Sequence, residues 1–385
     1  MHELSKRLTG RFQVTVLCPH AESARTHECI DGVDVVRYQY APQRLERLVN
    51  NGGIVTNLRL HRWMALLLPG FFLSQLVHLV WLQLRLKPAA IHAHWIIPQA
   101  FIAVLASLMT GRRTPILVTS HGADLFALNG SLMRRLKRWT LRRCTQATVV
   151  SQAMLAPIRS LGMPDRHVTV SPMGVDMRRF TTTPAVVRRD DELLFVGRLV
   201  EKKGLRYLID ALPAVLEKHP GVHLTVAGFG PELAQRQAQA FELGLQDKIR
   251  FLGAVDQACL PALYQRAATL VAPFVEAKGG DREGLGLVSV EALACGCPVV
   301  TTRIEAVKEV FGGQWPPYLA ESADAASLAS QIIRVLDSPA HAAAWAASSH
   351  AALLRRFSWD GVAAGYADLL TSMATTPLIQ QGRGQ

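Results

Sequence analysis

Two carboxylates, Glu283 and Glu291, stand eight positions apart in the stretch EGLGLVSVEALACGCPVV, with Gly284 and Gly286 between them. Glycines let backbone N–H groups approach a ligand closely, and a helix beginning near Leu287 would aim its positive end at the same point. Glu291 would then lie one turn into that helix. Its carboxylate can accept hydrogen bonds from the vicinal hydroxyls of a sugar, and Glu283, on the loop before the helix, can reach a second sugar. Read alone, the pair also fits a helix start salted by acidic residues, which favour that position anyway.

A second stretch, GRLVEKKG, places Arg198 directly after an expected strand and Lys203-Gly204 at the opening of the next helix. Arginine grips phosphate bidentately and lysine adds a compact charge, so a diphosphate is the natural ligand of such a loop. In SHGADLF, His121 falls at the end of another expected strand, where Gly122 keeps the backbone free. Asp124 beside it reads as a helix cap.

The elements that must position these groups follow from periodicity. Short β-rich runs alternate with helical stretches, which indicates an α/β chain built of βα units with parallel sheets. The expected strands of the first half are Val14 to Cys18, Ala90 to His92, Ile116 to Ser120, Ala147 to Ser151 and the run from Val168, with helices up to Gly10 and from Ala100 to Met109. After the polar run TTTPAVVRRDDE, read as a linker, the pattern restarts with strands at Leu193 to Leu199, His223 to Gly228, Ile249 to Gly253, Ala268 to Pro273 and Pro298 to Thr302. A helix over Leu205 to Glu217 separates the first two of these. At 385 residues, 49% hydrophobic, the chain is long enough for two cores. In such doubly wound domains, ligands bind outside the carboxyl ends of the strands.

Charge narrows the partners. Lysine and arginine outnumber aspartate and glutamate by 42 to 30, a formal charge of +12, which favours anionic ligands such as nucleotides or phospholipid. No recognised nucleic-acid module accompanies that charge, so nucleic acid is not an expected partner. The six cysteines show no CxxC pair or metal-ligand spacing, and a reduced, cytoplasmic compartment fits them. The N-terminus is charged rather than signal-like. Trp63 to Leu84 is long and apolar enough to test as a membrane span. Its Pro69-Gly70 break and its recurring Ser74, Gln75, His78 and Gln83 point instead to a buried or surface-docked helix. Met133 to Arg143 (MRRLKRWTLRR) reads as a basic helix interleaved with Leu136, Trp139 and Leu141, a pattern shared by membrane-surface helices and by solvated helices with a core-facing stripe.

GRLVEKKG, AGFGPE (Ala227 to Glu232), the spaced carboxylates, SPMGVD (Ser171 to Asp176) and FSWD (Phe357 to Asp360) together resemble the retaining glycosyltransferases of family 4, over nearly the whole chain. The resemblance implies the GT-B fold, two Rossmann-like domains facing across a cleft. It implies an N-terminal acceptor-side domain over 1–180 and a C-terminal nucleotide-sugar-binding domain over 190–356. A helix over 357–374 would cross back to the first domain, with a tail over 375–385. It further implies that Arg198 and Lys203 hold a donor diphosphate and that Glu291 binds the nucleotide ribose. Glu283 would hold hydroxyls of the donor sugar beside the backbone amides of Gly284, Leu285, Gly286 and Leu287. His121 would lie near the donor sugar.

The expected activity is transfer of a sugar from a nucleotide-diphosphate donor to a saccharide or lipid-linked acceptor with retention of configuration, in cell-surface polysaccharide or glycolipid synthesis. No cofactor is expected and, since no Asp-x-Asp triplet occurs, no metal. An anionic membrane surface, on the cytoplasmic side, is an expected partner. A nucleotide-sugar 2-epimerase, or a catalytically impaired membrane-associated binding protein, are the alternative readings.

Two departures from the family pattern stand out. Met173 replaces the usual asparagine before Gly-Val-Asp. The family's opening strand and glycine-rich loop have no counterpart before the helix containing Leu4 and Leu8. The expectation is a sheet lacking its first strand, with unpaired backbone on its neighbours.

Overall fold

The computed structural model describes residues 1–49, 54, 57–58, 61–126, 130–183 and 186–375. The expected tail over 375–385 lies, beyond Thr375, outside them. The chain divides into two compact units: Met1–Val150 with Met154–Ser171 and everything from Asp360 on, and Ser151–Ala153 with Pro172–Trp359.

In the first unit, β1 (Thr15–Pro19), β2 (His27–Ile30) and β3 (Val33–Tyr38) form one sheet in the order β1-β3-β2, with β1 and β3 parallel. A second sheet, wholly parallel, runs β4 (Ile91–His94), β5 (Ile116–Ser120), β6 (Gln146–Val149) and β7 (Val168–Val170) in that order. Among the described residues no strand joins the two sheets, so β1 and β4 are each paired on one side only. The strands β2 and β3 were not among those expected. In β2 exposed and half-buried residues alternate, too polar a pattern to stand out from a loop, while β3 buries Val33, Val35 and Tyr38.

The helix Trp359–Thr375 packs on the first unit from residue 360 on. Arg7 donates to Asp360 (2.8 Å), Arg11 to Asp368 (2.6 Å), and the Tyr366 hydroxyl meets Thr148 Oγ1 at 3.2 Å.

The segment Trp63–Leu84 is helical from Arg62 to Leu86, the one stretch among the described residues long and apolar enough to cross a membrane. One side of it is buried, through Met64, Leu67, Phe71 and Leu82, and the Phe71 ring packs edge-on against Tyr38 and Tyr40. Pro69-Gly70 does not break the helix: Pro69 stands in the first turn of its α-helical part, Leu68–Leu86, where proline is tolerated, and residue 70 is glycine because a Cβ there would lie 2.5 Å from the Tyr40 carbonyl oxygen.

The basic helix Ser131–Leu141 has its stripe turned inward. Leu141 is fully buried, the Trp139 ring packs at a tilt against Phe101 with centroids 5.6 Å apart, and Lys137 is itself buried, its ammonium donating to the Leu125 carbonyl at 3.2 Å.

The second unit is a single six-stranded parallel sheet, β10 (Ile249–Gly253), β9 (His223–Ala227), β8 (Glu192–Val196), β11 (Thr269–Ala272), β12 (Val299–Thr302) and β13 (Leu319–Ala320), in that spatial order. Its central strands are buried on both faces, as helices on both sides of a parallel sheet require. Glu192, read as the last linker residue, instead opens β8 as a buried anion. Arg266 grips it with two donors (2.6 and 2.5 Å) and Thr225 Oγ1 donates at 2.8 Å. The chain enters this unit at Pro172. Val175 bridges to Ser358, and Gly174 lies so close to the Trp359 indole that a Cβ there would meet it at 2.4 Å.

Candidate functional site

The strand order of the second unit reverses between β8 and β11, so the loops leaving the carboxyl ends of those two strands diverge from a common crevice, the place where open parallel sheets bind ligands. One loop carries Arg198 to Gly204 and the other Pro273 to Gly286. They are tied together. Val275 N donates to the Lys202 carbonyl (3.0 Å), Lys278 N to Glu201 Oε1 (3.1 Å), and Lys202 Nζ to Asp281 Oδ1 (3.1 Å) and the Arg282 carbonyl (3.2 Å). The approach is possible only because residue 204 is glycine, left-handed at φ +69°, where a Cβ would stand 1.7 Å from the Pro273 carbonyl oxygen. Gly228, from AGFGPE, is equally constrained, 1.8 Å from the Gly197 oxygen by the same measure.

On this scaffold Lys203 Nζ lies 2.8 Å from Glu283 Oε2 and 4.8 Å from the centre of the Phe274 ring. Both partners of the ion pair are largely shielded, at 15% and 14% exposure, so the pair is screened far less than one on the surface. Burial by itself would raise the Glu283 carboxyl. Lys203, Lys202 and the Gly286 N–H, which donates to Oε1 at 3.3 Å, outweigh it and hold Glu283 below the ordinary value. Arg198, half-buried, has its pKa lowered by desolvation against an opposing pull from Asp281.

Gly286, at φ +81°, starts the helix Leu287–Ala294, which has no side-chain cap at its N-terminus. Gly284, Leu285 and Gly286 are buried; Leu287 and Glu291 are half-buried. Glu291 is held by Tyr264, whose hydroxyl donates to Oε2 at 2.8 Å. Burial pushes the Glu291 carboxyl up to about 7, although the tyrosine bond and Lys203 both pull it down. Of the residues singled out in sequence, Arg198, Lys203, Gly284, Leu285, Gly286, Leu287, Glu283 and Glu291 thus share the two loops and one helix. Tyr264 had no sequence signal, being one aromatic in an apolar helix.

His121 belongs to the first unit and sits in a histidine cluster. Its Nε2 is 3.1 Å from His94 Nδ1, with the rings stacked, and His92 Nε2 is 2.7 Å from Thr119 Oγ1 while its ring stacks on Tyr366. Burial lowers His92 to about 3 and His121 to about 4, and takes His94 well below its usual value. All three are therefore neutral at pH 7.

Asp124 does more than cap a helix. Its carboxylate accepts from Ser120 Oγ (2.8 Å), His121 N (3.2 Å) and Ile96 N (2.8 Å), fixing the loops after β4 and β5 to one another. Among the described residues no group of three or more His, Cys, Asp or Glu side chains is arranged to hold a metal ion.

The arrangement is chemically suited to a polyanion beside hydroxyl groups. The family description "Glycosyltransferase Family 4" matches residues 1–179, and "Glycosyl transferases group 1" matches 183–351. The chain is 31% identical to a glycogen synthase of Mycobacterium tuberculosis over 96% of its own length and 89% of that protein. It is 31% identical to a phosphatidyl-myo-inositol mannosyltransferase of Mycobacterium leprae over 68% of each. Among solved structures, sucrose-phosphate synthase from Thermosynechococcus elongatus superposes with a TM-score of 0.77 at 19% identity, covering 96% of this chain and 92% of the other. Anabaena HepE in complex with UDP and glucose gives 0.69 at 20% identity, covering 89% and 87%.

Proposed function

The chain belongs to glycosyltransferase family 4 and has the GT-B fold, and from that premise we propose that it transfers a sugar from a nucleotide-diphosphate donor, bound between the β8 and β11 loops, with retention of anomeric configuration. The observation that carries this reading is the contact of Lys203 with Glu283 at the crevice where β8 and β11 end.

A cation suited to phosphate and a carboxylate suited to hydroxyls are there held against each other. A diphosphate that takes up Lys203 and Arg198 releases Glu283 to the hydroxyls of the attached sugar, so phosphate and sugar recognition are linked through one ion pair. Glu291, with Oε2 on Tyr264, offers its other oxygen to the ribose. The backbone of Gly284 to Leu287, with the Gly286 N–H held by Glu283 Oε1, leads into the helix and adds its positive end.

As the bond to the anomeric carbon breaks, charge grows on the departing diphosphate, and Arg198, Lys203 and the helix end stabilise it electrostatically without a metal. The acceptor oxygen attacks on the face the diphosphate leaves and passes its proton to the leaving phosphate oxygen. His121, in the first unit, is held neutral by burial and so can offer a hydrogen bond but no charge. The acceptor is a saccharide or a lipid-linked molecule, and the enzyme works on the cytoplasmic face of a membrane with anionic lipid.

Thermal unfolding with a panel of UDP-, GDP- and ADP-sugars tests the reading. One of them is expected to raise the melting temperature, since a ligand at a hundred times its dissociation constant adds about 2.7 kcal/mol. Turnover of that donor is expected to persist in EDTA. No stabilisation by any of the panel, or a strict metal requirement, contradicts it.

A further inference from the structure

The helix Leu68–Leu86 has two unlike sides. Its inner side is fixed to the first unit by packing of Phe71 and by polar bonds: Ser74 Oγ donates to the Gln39 carbonyl (2.5 Å), Gln83 Nε2 to Ser107 Oγ (3.1 Å), and Thr110 Oγ1 to Gln83 Oε1 (2.8 Å). Its outer side is apolar and open to solvent. Leu73 (62% exposed), Val77, Trp81 and Leu84 follow one another at helical spacing, and Leu66 (81%) extends the stripe just before the helix. Because Gln83 ties this helix to the end of Phe101–Thr110, the exposed Leu108 and Met109 (67%) lie beside the same end. Soluble proteins rarely leave so continuous an apolar surface uncovered without a use for it.

The charges around the stripe are of one sign. No aspartate or glutamate occurs anywhere between Glu46 and Asp124, in a chain that has 30 acidic residues, whereas Arg62, Arg85, Lys87, Arg112 and Arg113 flank the two helices. The Arg85 guanidinium rests over the Trp81 ring at 5.0 Å.

We propose that this stripe is a docking surface for an anionic phospholipid membrane. The helix Leu68–Leu86 lies in the plane of the interface, its outer leucines and valine reach the acyl boundary, Trp63 and Trp81 sit at headgroup depth, and the flanking cations meet lipid phosphates. The polar bonds on the inner side keep the helix on the protein, so it lies on the bilayer instead of crossing it. A second copy fits the surface poorly: an isologous contact would set these cations against their own equivalents with no acid in the segment to pair them. The basic helix Ser131–Leu141 lacks the means for this role, since its apolar residues other than Leu132 face inward.

The proposal rests on the reading of a membrane-peripheral transferase, but its test needs neither donor nor acceptor. Co-sedimentation is measured with phosphatidylcholine vesicles and with vesicles containing phosphatidylglycerol, for the wild type, for Leu73→Gln/Val77→Gln/Leu84→Gln, for Leu108→Gln/Met109→Gln and for Arg134→Gln/Arg135→Gln. The wild type is expected to bind only the anionic vesicles at low salt. The triple replacement is expected to lose at least about 10-fold in binding and the Leu108/Met109 pair several-fold, while the Arg134/Arg135 pair stays within about 3-fold, because apolar insertion and charge act together.

All the replaced positions are exposed, and unchanged melting temperatures confirm that the variants fold. Wild-type levels of vesicle binding by both apolar variants overturn the proposal. So does a concentration-dependent dimer abolished by the triple replacement without any vesicle binding, which assigns the stripe to a second copy. Failure of the donor reading would appear separately, as no nucleotide binding by a wild type that still sediments with anionic vesicles.

Discussion

The two units handle polar burial in opposite ways. The second unit keeps its proposed site charged: Lys203 and Glu283 are ion-paired, Lys202 is paired with Asp281, and the helix end at Gly286 adds partial positive charge. The first unit keeps its cluster neutral, with His92, His94 and His121 held together by hydrogen bonds and stacking and stripped of protons by burial. The contrast suits a division of labour. A diphosphate needs fixed cations, whereas the histidine cluster offers hydrogen bonds without charge.

The largest effect that would break this comparison is on turnover. Glu283→Ala is expected to cut it by about 100-fold, the worth of a charge-assisted bond to the sugar, while nucleoside-diphosphate affinity holds or rises because Lys203 loses its competing partner. Lost diphosphate affinity with normal turnover, measured by calorimetry and initial rates, would mean that the two glutamates have exchanged roles.

Glu291→Gln sharpens the comparison from the other direction. Nucleoside-diphosphate affinity is expected to fall about 10-fold at pH 8, since the ribose hydroxyls lose an anionic acceptor. Stability should move the opposite way. The folded pKa of Glu291 is raised from 4.5 to about 7, so the group favours folding least when ionised, and its contribution is lost as pH rises through that window. The variant is therefore expected to be more stable than the wild type at pH 8, by on the order of 1 kcal/mol, with the difference shrinking toward pH 5. Equal melting at both pH values would show that Glu291 carries no buried charge.

Tyr264→Phe should act more gently on the same carboxylate. The tyrosine bond is one of two influences that lower the Glu291 pKa, the other being Lys203, and Cys295 is the remaining titratable group facing it. Without the hydroxyl, affinity is expected to drop a few-fold at pH 7 and to approach the wild type at pH 9. A loss that is the same at both pH values would make Tyr264 a packing residue only.

The smallest expected effect is an absence of change. Since His121 titrates near 4, it should add no ionisation step to turnover between pH 6 and 8. A step near 6.5 that disappears in His121→Gln would show the cluster to be charged after all.

Those residues differ in how far they could be read in advance. Glycine-rich phosphate loops are legible because the backbone must come close, and the contacts at Gly204 and Gly228 are the physical form of that demand. Buried strands such as β8 and β11 are legible because both faces are apolar. Glu192 was not, since an acid at the end of a polar run looks like linker until Arg266 and Thr225 are seen around it. Lys137 misled in the same way: a lysine in a basic helix reads as solvated, and only the fold shows its stem buried and its ammonium on a backbone carbonyl. Tyr264 and His94 depend on contacts 27 residues away in the chain, a distance at which no local pattern helps.

The central claim is that the cations of the β8 loop hold a diphosphate, and calorimetric titration with a nucleoside and with its diphosphate, in the wild type and in Arg198→Ala/Lys203→Ala, tests it most directly. For the preferred base, the account predicts a wild-type diphosphate affinity about 100-fold or more above that of the nucleoside, with the gap shrinking below about 10-fold in the double variant while the nucleoside binds as before. A gap of the same size in the double variant would contradict it.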